Sequence, residues 1–433
     1  MQYISANSFG FLPNNSGIEN RKALQKIVDK TGTIYINQPG EYKIAGTVYI
    51  SSHTTLKFGN GVFLKKVDEI GNFSHVLLNK GALTKNYDEH IKIENLYIIV
   101  NDIDIRKYDV FGLNGQIAFY YIKDLVIEGF RCMDLGKLQF GIHICTFEDI
   151  IIKDVIIKGD KDGVHLGKGK RFTISNGVFE TYDDAIALNA QDFDIGNPEL
   201  GWIEDGIIEN CYDLDDNKEE KVGYFCRVLA GSWLDWYKGI EVQKSDTVVS
   251  DGKLYRVSAK PDGTKYISLT KPTHSRGEKI IDGICWVMTQ NTVEYNVGVR
   301  NIVFRNIFLS KPRVGFAFHF SDNKYNRSYY KGSVLPIQKQ MSLDNIRILH
   351  DKQTNLFEIG TPLDYISITN SYFENSKIRF YNSTSIDDYL LTHLIINDCV
   401  FNGKNLDELI NNEVKNKKIE VLSSLNVFRN IIK

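Results

Sequence analysis

Three short segments decide the fold: GIHI (Gly141–Ile144), GVHL (Gly163–Leu166) and AIAL (Ala185–Leu188). Each begins 22 residues after the previous one. Because strand residues alternate between two faces, the second residues would stack in one inward column: Ile142, Val164 and Ile186. The third residues would stack on the outward face: His143, His165 and Ala187. Stacked columns at this period indicate a parallel β-helix.

A longer phrase of alternating apolar residues, ending in Asn or Asp, repeats along much of the chain. Examples are IKIENLYI (91–98), RFTISNGVF (171–179), VRNIVFRNI (299–307) and LTHLIINDC (391–399). Helical spacing of Ala23, Leu24, Ile27 and Val28, in a stretch opened by Asn20, predicts one helix that caps the open N-terminal end. The low proline count, 8 in 433 residues, suits a ladder that proline cannot join. The predicted class is all-β: a right-handed single-stranded parallel β-helix with an N-terminal capping helix.

One region interrupts the repeat. Residues 231–290 hold Trp233, Trp236 and Trp286, three of the four tryptophans, and VSDGKLYRV (249–257) carries a hairpin signal. We therefore predict a small inserted β domain at 231–290, between two parts of the coil at 1–230 and 291–433. Its aromatic residues would either form its own core or stack on sugar rings.

Composition restricts the function classes. Lys and Arg total 52 against 54 for Asp and Glu, so a large electrostatic surface for nucleic acid is not expected. No apolar run approaches the ~18 residues of a membrane span. The six cysteines are scattered without a CxxC pair, which argues against a disulfide framework or a zinc site. The N-terminus lacks the pattern of a secretory signal.

Acidic residues concentrate on two neighbouring rungs, in GDKDGVHL (159–166) and YDDAIAL (182–188). Asp162 and Asp184 are 22 residues apart, so they should lie side by side, about 4.8 Å apart along the ladder. Asp183 adjoins them. Close carboxylates raise one another's pKa, so one of them can stay protonated as a general acid. Glycoside hydrolysis needs such an acid and a carboxylate that activates water.

The motifs KDGVH and DDAIAL resemble those of glycoside hydrolase family 28, the polygalacturonase group of the pectin-lyase-like β-helices. The N-terminal segment 6–44 also looks like the cap of that superfamily. The resemblance implies that Asp183 is the general acid and that Asp162 and Asp184 activate water for an inverting attack, without metal or another cofactor. The family's Arg-x-Lys motif is not found at FAFHF (Phe316–Phe320), and its His-Gly motif is absent from the next rung.

The insert resembles the aromatic-rich β modules of phage tail proteins and chitin-binding-type carbohydrate modules. The pattern that carries this resemblance is GKLYRV … KPTH … GEKIIDGICWV, within residues 252–287. It implies a carbohydrate-binding module.

Further candidates for substrate binding follow from alternation and position. His165 could hydrogen-bond a sugar hydroxyl or tune an Asp, and His143 is a candidate in the same outward column. Arg227 in YFCRVLAG would extend the outward column of His143 and His165, with Cys226 and Val228 pointing inward. Trp202 follows the acidic rung and could stack on a sugar. His319 would lie further along the same outward face.

Three hypotheses remain at this point. The first is a glycosidase that cleaves a polysaccharide or oligosaccharide along the coil. The second is a polysaccharide lyase in which the acids hold Ca²⁺ through oxygen ligands and a Lys or Arg takes the proton. The third is a non-catalytic, tailspike-like glycan-binding protein, which would imply a homotrimer. All three place the protein outside the cell or on a virion, without a nucleic-acid or membrane partner.

Overall fold

The computed structural model describes residues 3–105, 107–383, 391–403, 405–414 and 418–429. The chain forms a right-handed single-stranded parallel β-helix, as the sequence predicts. Each coil contributes strands to three parallel ladders, and neighbouring rungs are hydrogen-bonded. Among the described helices, none is both long and apolar enough for a membrane crossing.

The first ladder carries the rungs identified in the sequence. Two long strands, Gly115–Glu128 and Phe140–Lys153, belong to it by their first halves. Its other strands are Val48–Ile50, Leu77–Asn79, Val164–Leu166, Ile186–Asn189, Cys226–Leu229, Phe316–His319, Thr354–Ile359, Ser376–Phe380 and Ile410–Asn412.

The second ladder takes the later halves of those two long strands. Its other strands are Ile4–Ser5, Gly32–Ile36, Thr54–Phe58, Asp88–Glu94, Gly169–Ser175, Ile203–Asp213, Val299–Leu309, Lys339–Ile348, Tyr365–Thr369, Thr392–Asn397 and Ile419–Ser424.

The third ladder includes the ends of three strands of the second, those that finish at Asp213, Leu309 and Ile348. Its other strands are Gly40–Ile44, Val62–Lys66, Tyr97–Ile99, Arg131–Leu135, Ile156–Gly159, Val178–Thr181, Tyr372–Phe373, Val400–Asn402 and Val427–Arg429.

The predicted register of the first ladder is confirmed. Val164 aligns with Ile142 before it and Ile186 after it, and all three are fully buried. Ile186 in turn aligns with Cys226, which places Arg227 in the outward column. The core is thus a stack of inward columns that runs along the coil.

The Asn or Asp that ends each repeated phrase forms the corner between the second and third ladders. These residues adopt left-handed backbone conformations with φ between 51° and 57°: Asn95, Asp154, Asn176, Asn210, Asn306, Asn345, Asn370 and Asp398. Asn and Asp tolerate this region better than other non-glycine residues. Side-chain amides also bond from rung to rung, as in Asn306 Nδ2 to Asn210 Oδ1 at 2.8 Å. The Asn or Asp therefore recurs in the sequence because the chain makes the same left-handed bend at this corner.

The N-terminal end is covered by a helix over Gly17–Val28, which begins before the Asn20 of the sequence prediction. Ser16 and Glu19 form a capping box, in which Ser16 Oγ accepts from the Glu19 N–H at 3.2 Å. Leu24, Ile27 and Val28 pack against the coil. A second, single-turn helix spans Leu406–Leu409, and short 3₁₀ turns span Ala6–Phe9 and Lys80–Leu83.

Between the strands Cys226–Leu229 and Val299–Leu309 the chain leaves the coil and forms separate, mostly antiparallel sheets. Their strands are Gly231–Ser232, Leu234–Asp235, Ile240–Val242, Thr247–Ser250, Lys253–Ser258, Tyr266–Ser268, Glu278–Ile281, Ile284–Gln290 and Asn296–Val297. The predicted hairpin is confirmed, with Ser250 opposite Lys253 across a two-residue turn.

The insert has a small core of its own that includes Trp286, with Trp236 packed against it, while Trp233 belongs to the core of the coil. The buried Arg256 anchors the insert to the coil by donating to the backbone oxygen of Asn197 at 2.6 Å. The boundaries 231–290 as those of an independent domain stay a prediction.

Candidate functional site

The acidic residues lie in the turns that lead from the third ladder into the first. Asp162 precedes the strand Val164–Leu166, and Asp184 precedes Ile186–Asn189. The Gly163 N–H donates to the backbone oxygen of Asp184 at 3.0 Å, so adjacent rungs hold the two turns side by side. Carboxylate oxygens of Asp162, Asp183 and Asp184 all lie within 4.8 Å of one another. We call these three residues the acidic cluster.

The three carboxyl groups differ in access. Asp162 and Asp184 are 3% and 2% exposed, whereas Asp183 is more open and lines a cleft of about 460 Å³. Lysine, tyrosine and acidic side chains also line it: Lys137, Asp160, Lys161, Tyr182, Lys218 and Glu220. Asp183 is therefore the most accessible member of the acidic cluster.

The acidic cluster is covered by a close backbone crossing. Gly223 has φ +69°, and a Cβ on it would lie 2.5 Å from the carbonyl carbon of Asp183, so a side chain at this position would clash. The next residue, Tyr224, donates its N–H to Asp184 Oδ1 at 2.9 Å. The loop before the strand Cys226–Leu229 thus shields Asp184 from solvent and fixes its orientation.

Lys161 supplies a positive charge inside the acidic cluster. Its ammonium donates to Asp183 Oδ2 and lies 3.6 Å from Asp162 Oδ1. Burial acts against the charged form, but Asp162 and Asp183 outweigh it and raise the pKa of Lys161. Lys161 and Asp183 are 22 residues apart, as are Asp162 and Asp184. The sequence therefore contained this signal, but our sequence interpretation missed it.

The electrostatic environment separates Asp184 from Asp162. Burial raises the pKa of Asp184 well above its usual range, and the charges of Asp183 and Asp162 act in the same direction. Burial also acts to raise the pKa of Asp162, but Lys161 and His165 outweigh it and lower that pKa. The two neighbouring carboxyl groups are therefore shifted in opposite directions, with the proton favoured on Asp184 over Asp162.

His165 is a buried imidazolium between two carboxylates. Its Nδ1 lies 2.8 Å from Asp162 Oδ2, its Nε2 lies 3.1 Å from Asp192 Oδ2, and its ring stacks on Phe140 at 4.1 Å. Although burial acts to lower the pKa of His165, the bonds to Asp162 and Asp192 raise it to about 9. The structure brings this predicted residue to the acidic cluster, where it holds Asp162 in place.

His143, on the preceding rung, has a different environment. Its Nδ1 accepts from the Asn114 N–H at 2.8 Å, so its Nε2 donates to Asn197 Oδ1 at 2.9 Å. Burial, and then the positive charge of His165, lower the pKa of His143 well below its usual range. Asp192 and Asn197 belong to the loop after Ile186–Asn189, which folds over this outward face. The structure therefore places both histidines beneath a loop.

The remaining predicted residues lie at different distances from the acidic cluster. Arg227 is half-buried and donates to Ser321 Oγ at 2.8 Å, and its charge acts to lower the pKa of Asp184 and of Asp162. His319 is buried beside Tyr224, with ring centroids 5.6 Å apart. Trp202 lines a separate cleft, which does not contain any member of the acidic cluster.

Two basic residues that the sequence interpretation missed stabilise the turn that carries Asp183 and Asp184. Arg313 donates to the backbone oxygen of Asp183 at 2.6 Å and forms a buried ion pair with Asp213, with Nη2 and Oδ1 2.7 Å apart. Lys311 donates to the backbone oxygen of Thr181 at 2.6 Å. These contacts join residues about 130 positions apart, so no local sequence pattern indicates them.

The oxygen atoms of the acidic cluster are close enough together to contact one cation. Lys161 already places an ammonium between Asp162 and Asp183, and Asp184 favours its protonated form. A resident ammonium and a carboxyl group with a raised pKa fit a divalent cation poorly, since metal ligands must be deprotonated.

Several solved structures are similar to this chain at low sequence identity. No family model and no curated protein matches the chain. Among solved structures, the A-module of a mannuronan C-5 epimerase from Azotobacter vinelandii is 12% identical, covering 99% of this chain and 100% of that one, with a TM-score of 0.47. A family 28 exopolygalacturonase from Yersinia enterocolitica is 12% identical over 100% and 78% of the two chains, with a TM-score of 0.48.

A tailspike protein of an E. coli bacteriophage is 9% identical over 92% of this chain and 65% of its own, with a TM-score of 0.48.

Proposed function

We propose that the protein hydrolyses glycosidic bonds of a polysaccharide or oligosaccharide at the acidic cluster. The observation that carries this proposal is the unequal environment of three adjacent carboxyl groups. Asp183 faces the cleft, the pKa of Asp184 is raised well above its usual range, and the pKa of Asp162 is lowered. Glycoside hydrolysis requires both a protonated and an ionised carboxyl group at one bond.

The proposed reaction uses the carboxyl groups in sequence. The proton of Asp184 passes to Asp183, within 4.8 Å, and from there to the oxygen of the leaving sugar. Water attacks the anomeric carbon and gives a proton to Asp162, whose charge Lys161 and His165 stabilise. The bond between anomeric carbon and leaving oxygen breaks, one water is consumed, and the proton on Asp162 restores that of Asp184.

The stereochemical outcome has a direct measurement. The family resemblance implies inversion, for which the two acting carboxyl groups are usually about 6.5–9.5 Å apart, whereas retaining enzymes hold them roughly 5–5.5 Å apart. Proton NMR of the first-formed anomer distinguishes the two. Inversion would place the attacking water beside Asp162, and retention would require Asp183 or Asp162 to act as nucleophile.

The experiment that tests hydrolysis is incubation of the purified protein with a panel of polysaccharides, followed by a reducing-end assay. Asp183→Asn should abolish release of reducing ends. Asp160→Asn is the matched control, because Asp160 lines the same cleft and pairs with Lys218 but lies outside the acidic cluster. Full activity of Asp183→Asn, or glycan binding without turnover on any substrate, would contradict the proposal.

A lyase reaction is the second candidate, because Lys161 provides the basic residue that the sequence interpretation lacked. The raised pKa of Lys161 keeps it protonated, and this disfavours it as a base. An unsaturated product that absorbs in the ultraviolet would favour a lyase. Loss of activity with a chelator would point to the Ca²⁺-dependent version, whereas hydrolysis at the acidic cluster should be unaffected by EDTA.

A further inference from the structure

Trp202 lies in a second cleft, on the far side of the first-ladder strands from the acidic cluster. The cleft has a volume of about 190 Å³, and its lining includes Tyr87, Lys168, Trp202 and Glu294. Lys168 follows Asp162 by six residues across the same rung, a span of at most about 20 Å at the rise of an extended strand. The two clefts therefore flank one set of strands.

Two of the aromatic rings that line this cleft, those of Trp202 and Tyr87, each lie against a cation. The Arg300 guanidinium lies 5.0 Å from the Trp202 ring centre, and Arg300 is itself paired with Glu204 at 2.8 Å. The Lys123 ammonium lies 4.4 Å from the Tyr87 ring centre. Fixed aromatic rings with an accessible apolar surface suit the C–H face of a sugar ring, because little side-chain freedom is lost on binding.

Two polar groups of the cleft have no hydrogen-bond partner in the described part of the chain. One is Glu294 Oε2, a buried oxygen atom. The Lys168 ammonium forms no ion pair or side-chain hydrogen bond with any residue of the described part of the chain. Its aliphatic stem lies against Gly201, where a Cβ would be 2.6 Å from Lys168 Cδ. An acceptor and a donor are thus available beside the aromatic rings.

The charge of the cleft indicates the chemical class of its ligand. Burial raises the pKa of Glu294, which makes its neutral form more available as a hydrogen-bond donor. Glu148 and Glu204 also line the cleft, but each lies near a Lys or Arg. With its charges nearly balanced, the cleft suits hydroxyl groups rather than a strongly charged ligand.

We propose that this cleft is a second saccharide-binding site, which takes a single hydroxyl-rich sugar ring of a polysaccharide against Trp202. Its volume is below the roughly 300–1,000 Å³ of pockets for drug-sized ligands, and this restricts it to one ring. The site goes beyond the proposed hydrolysis and does not depend on it.

Affinity gel electrophoresis tests this site in an Asp183→Asn background, where substrate is not consumed. The probes are soluble neutral polysaccharides and polyuronates, each cast into a native gel. Trp202→Ala should weaken retardation by a neutral polysaccharide about tenfold, the effect of ~1.4 kcal/mol from one aromatic contact. Lys168→Met should weaken it as well, while Trp202→Phe should retain part of the binding and keep the native fold.

Tyr212→Ala is the matched control, because Tyr212 is an exposed aromatic residue stacked on Phe308 outside both clefts. Equal retardation of the parent, Trp202→Ala and Lys168→Met proteins would overturn the second site. The site would also be overturned if none of the polysaccharides retarded the parent, or if only the polyuronates did. If binding depends on Trp202 while the protein with Asp183 intact hydrolyses none of the polysaccharides, this site stands and the proposed hydrolysis is removed.

Discussion

The two edges of the first-ladder strands differ in how deeply their charged groups are buried and where the countercharges lie. At the acidic edge, formed by the acidic cluster with Lys161, two of three carboxyl groups are almost fully buried and the countercharge is inside the site. At the aromatic edge, formed by Trp202, Tyr87, Lys168 and Glu294, the cleft is open and its ion pairs are partly solvated.

Burial decides how much free energy is lost when one partner of an ion pair is removed. A buried ion that loses its partner cannot recover the lost energy from water, whereas a solvated one can. Substitutions at the acidic edge should therefore lower both the stability of the protein and its catalytic rate. Substitutions at the aromatic edge should mainly weaken ligand binding. Equivalent substitutions at the two edges separate these expectations.

The largest expected effect is on the reaction at the acidic edge. Asp183→Asn removes the carboxyl group that faces the cleft, and the proposed general acid with it. We expect kcat to fall about 10³-fold, within the range for loss of a general acid. The reducing-end assay measures this effect. A thermal melt of the same variant close to that of the parent would show that the loss is chemical and not a failure to fold.

Removal of the internal countercharge should cost stability. Lys161→Met leaves Asp162 and Asp183 without their ammonium partner, so the free energy of unfolding should fall by about 4 kcal/mol. Urea titration measures the change. Lys158→Met is the control, because Lys158 forms a more exposed pair with Glu180 at 2.7 Å, also across 22 residues. Equal losses in both variants would remove the distinction between buried and exposed pairs.

The buried imidazolium should make stability fall at alkaline pH. The pKa of His165 rises from about 6.5 unfolded to about 9 folded, so its contribution is complete below pH 6.5 and disappears as pH rises through 9. The shift corresponds to about 3 kcal/mol. The groups that face the ring are Asp162, Asp192, Phe140 and His143.

Unfolding of the parent and of His165→Asn, compared at pH 6 and pH 9, measures this contribution. The parent should lose its advantage over the variant between the two values. A difference that stays constant across this range would mean that His165 is not charged in the folded protein.

The smallest expected effect is at the aromatic edge. Arg300→Met deletes a cation, as Lys161→Met does, but this cation is 43% exposed and its pair with Glu204 is partly solvated. We expect the loss of this pair and of the contact with Trp202 to lower the free energy of unfolding by less than about 1 kcal/mol. A loss comparable to that of Lys161→Met would contradict the contrast between the two edges.

The sequence predicted the coil well because stacked rungs impose a period that can be counted. The 22-residue spacing placed Asp162 beside Asp184, and alternation within the strand placed Arg227 in the outward column. The same spacing, applied once more, would have placed Lys161 beside Asp183. The burial of His143 and His165 could not be predicted this way. It depends on a loop whose path is set by contacts with the insert, such as that of Arg256 with Asn197.

The detour of the chain through the insert also has a consequence for folding. Most rungs join residues about 22 to 40 apart, but Ile203 pairs with Val299, 96 residues later. Each doubling of a flexible loop adds about 0.6 kcal/mol to the cost of closing it, so this rung costs roughly 1.3 kcal/mol more than a 22-residue one. We expect the coil to assemble rung by rung up to Leu229 and to wait there for the insert to form. Ordering of the insert sheets, by bringing Gly231 next to Val297, would then set the pace at which the second half of the coil is added.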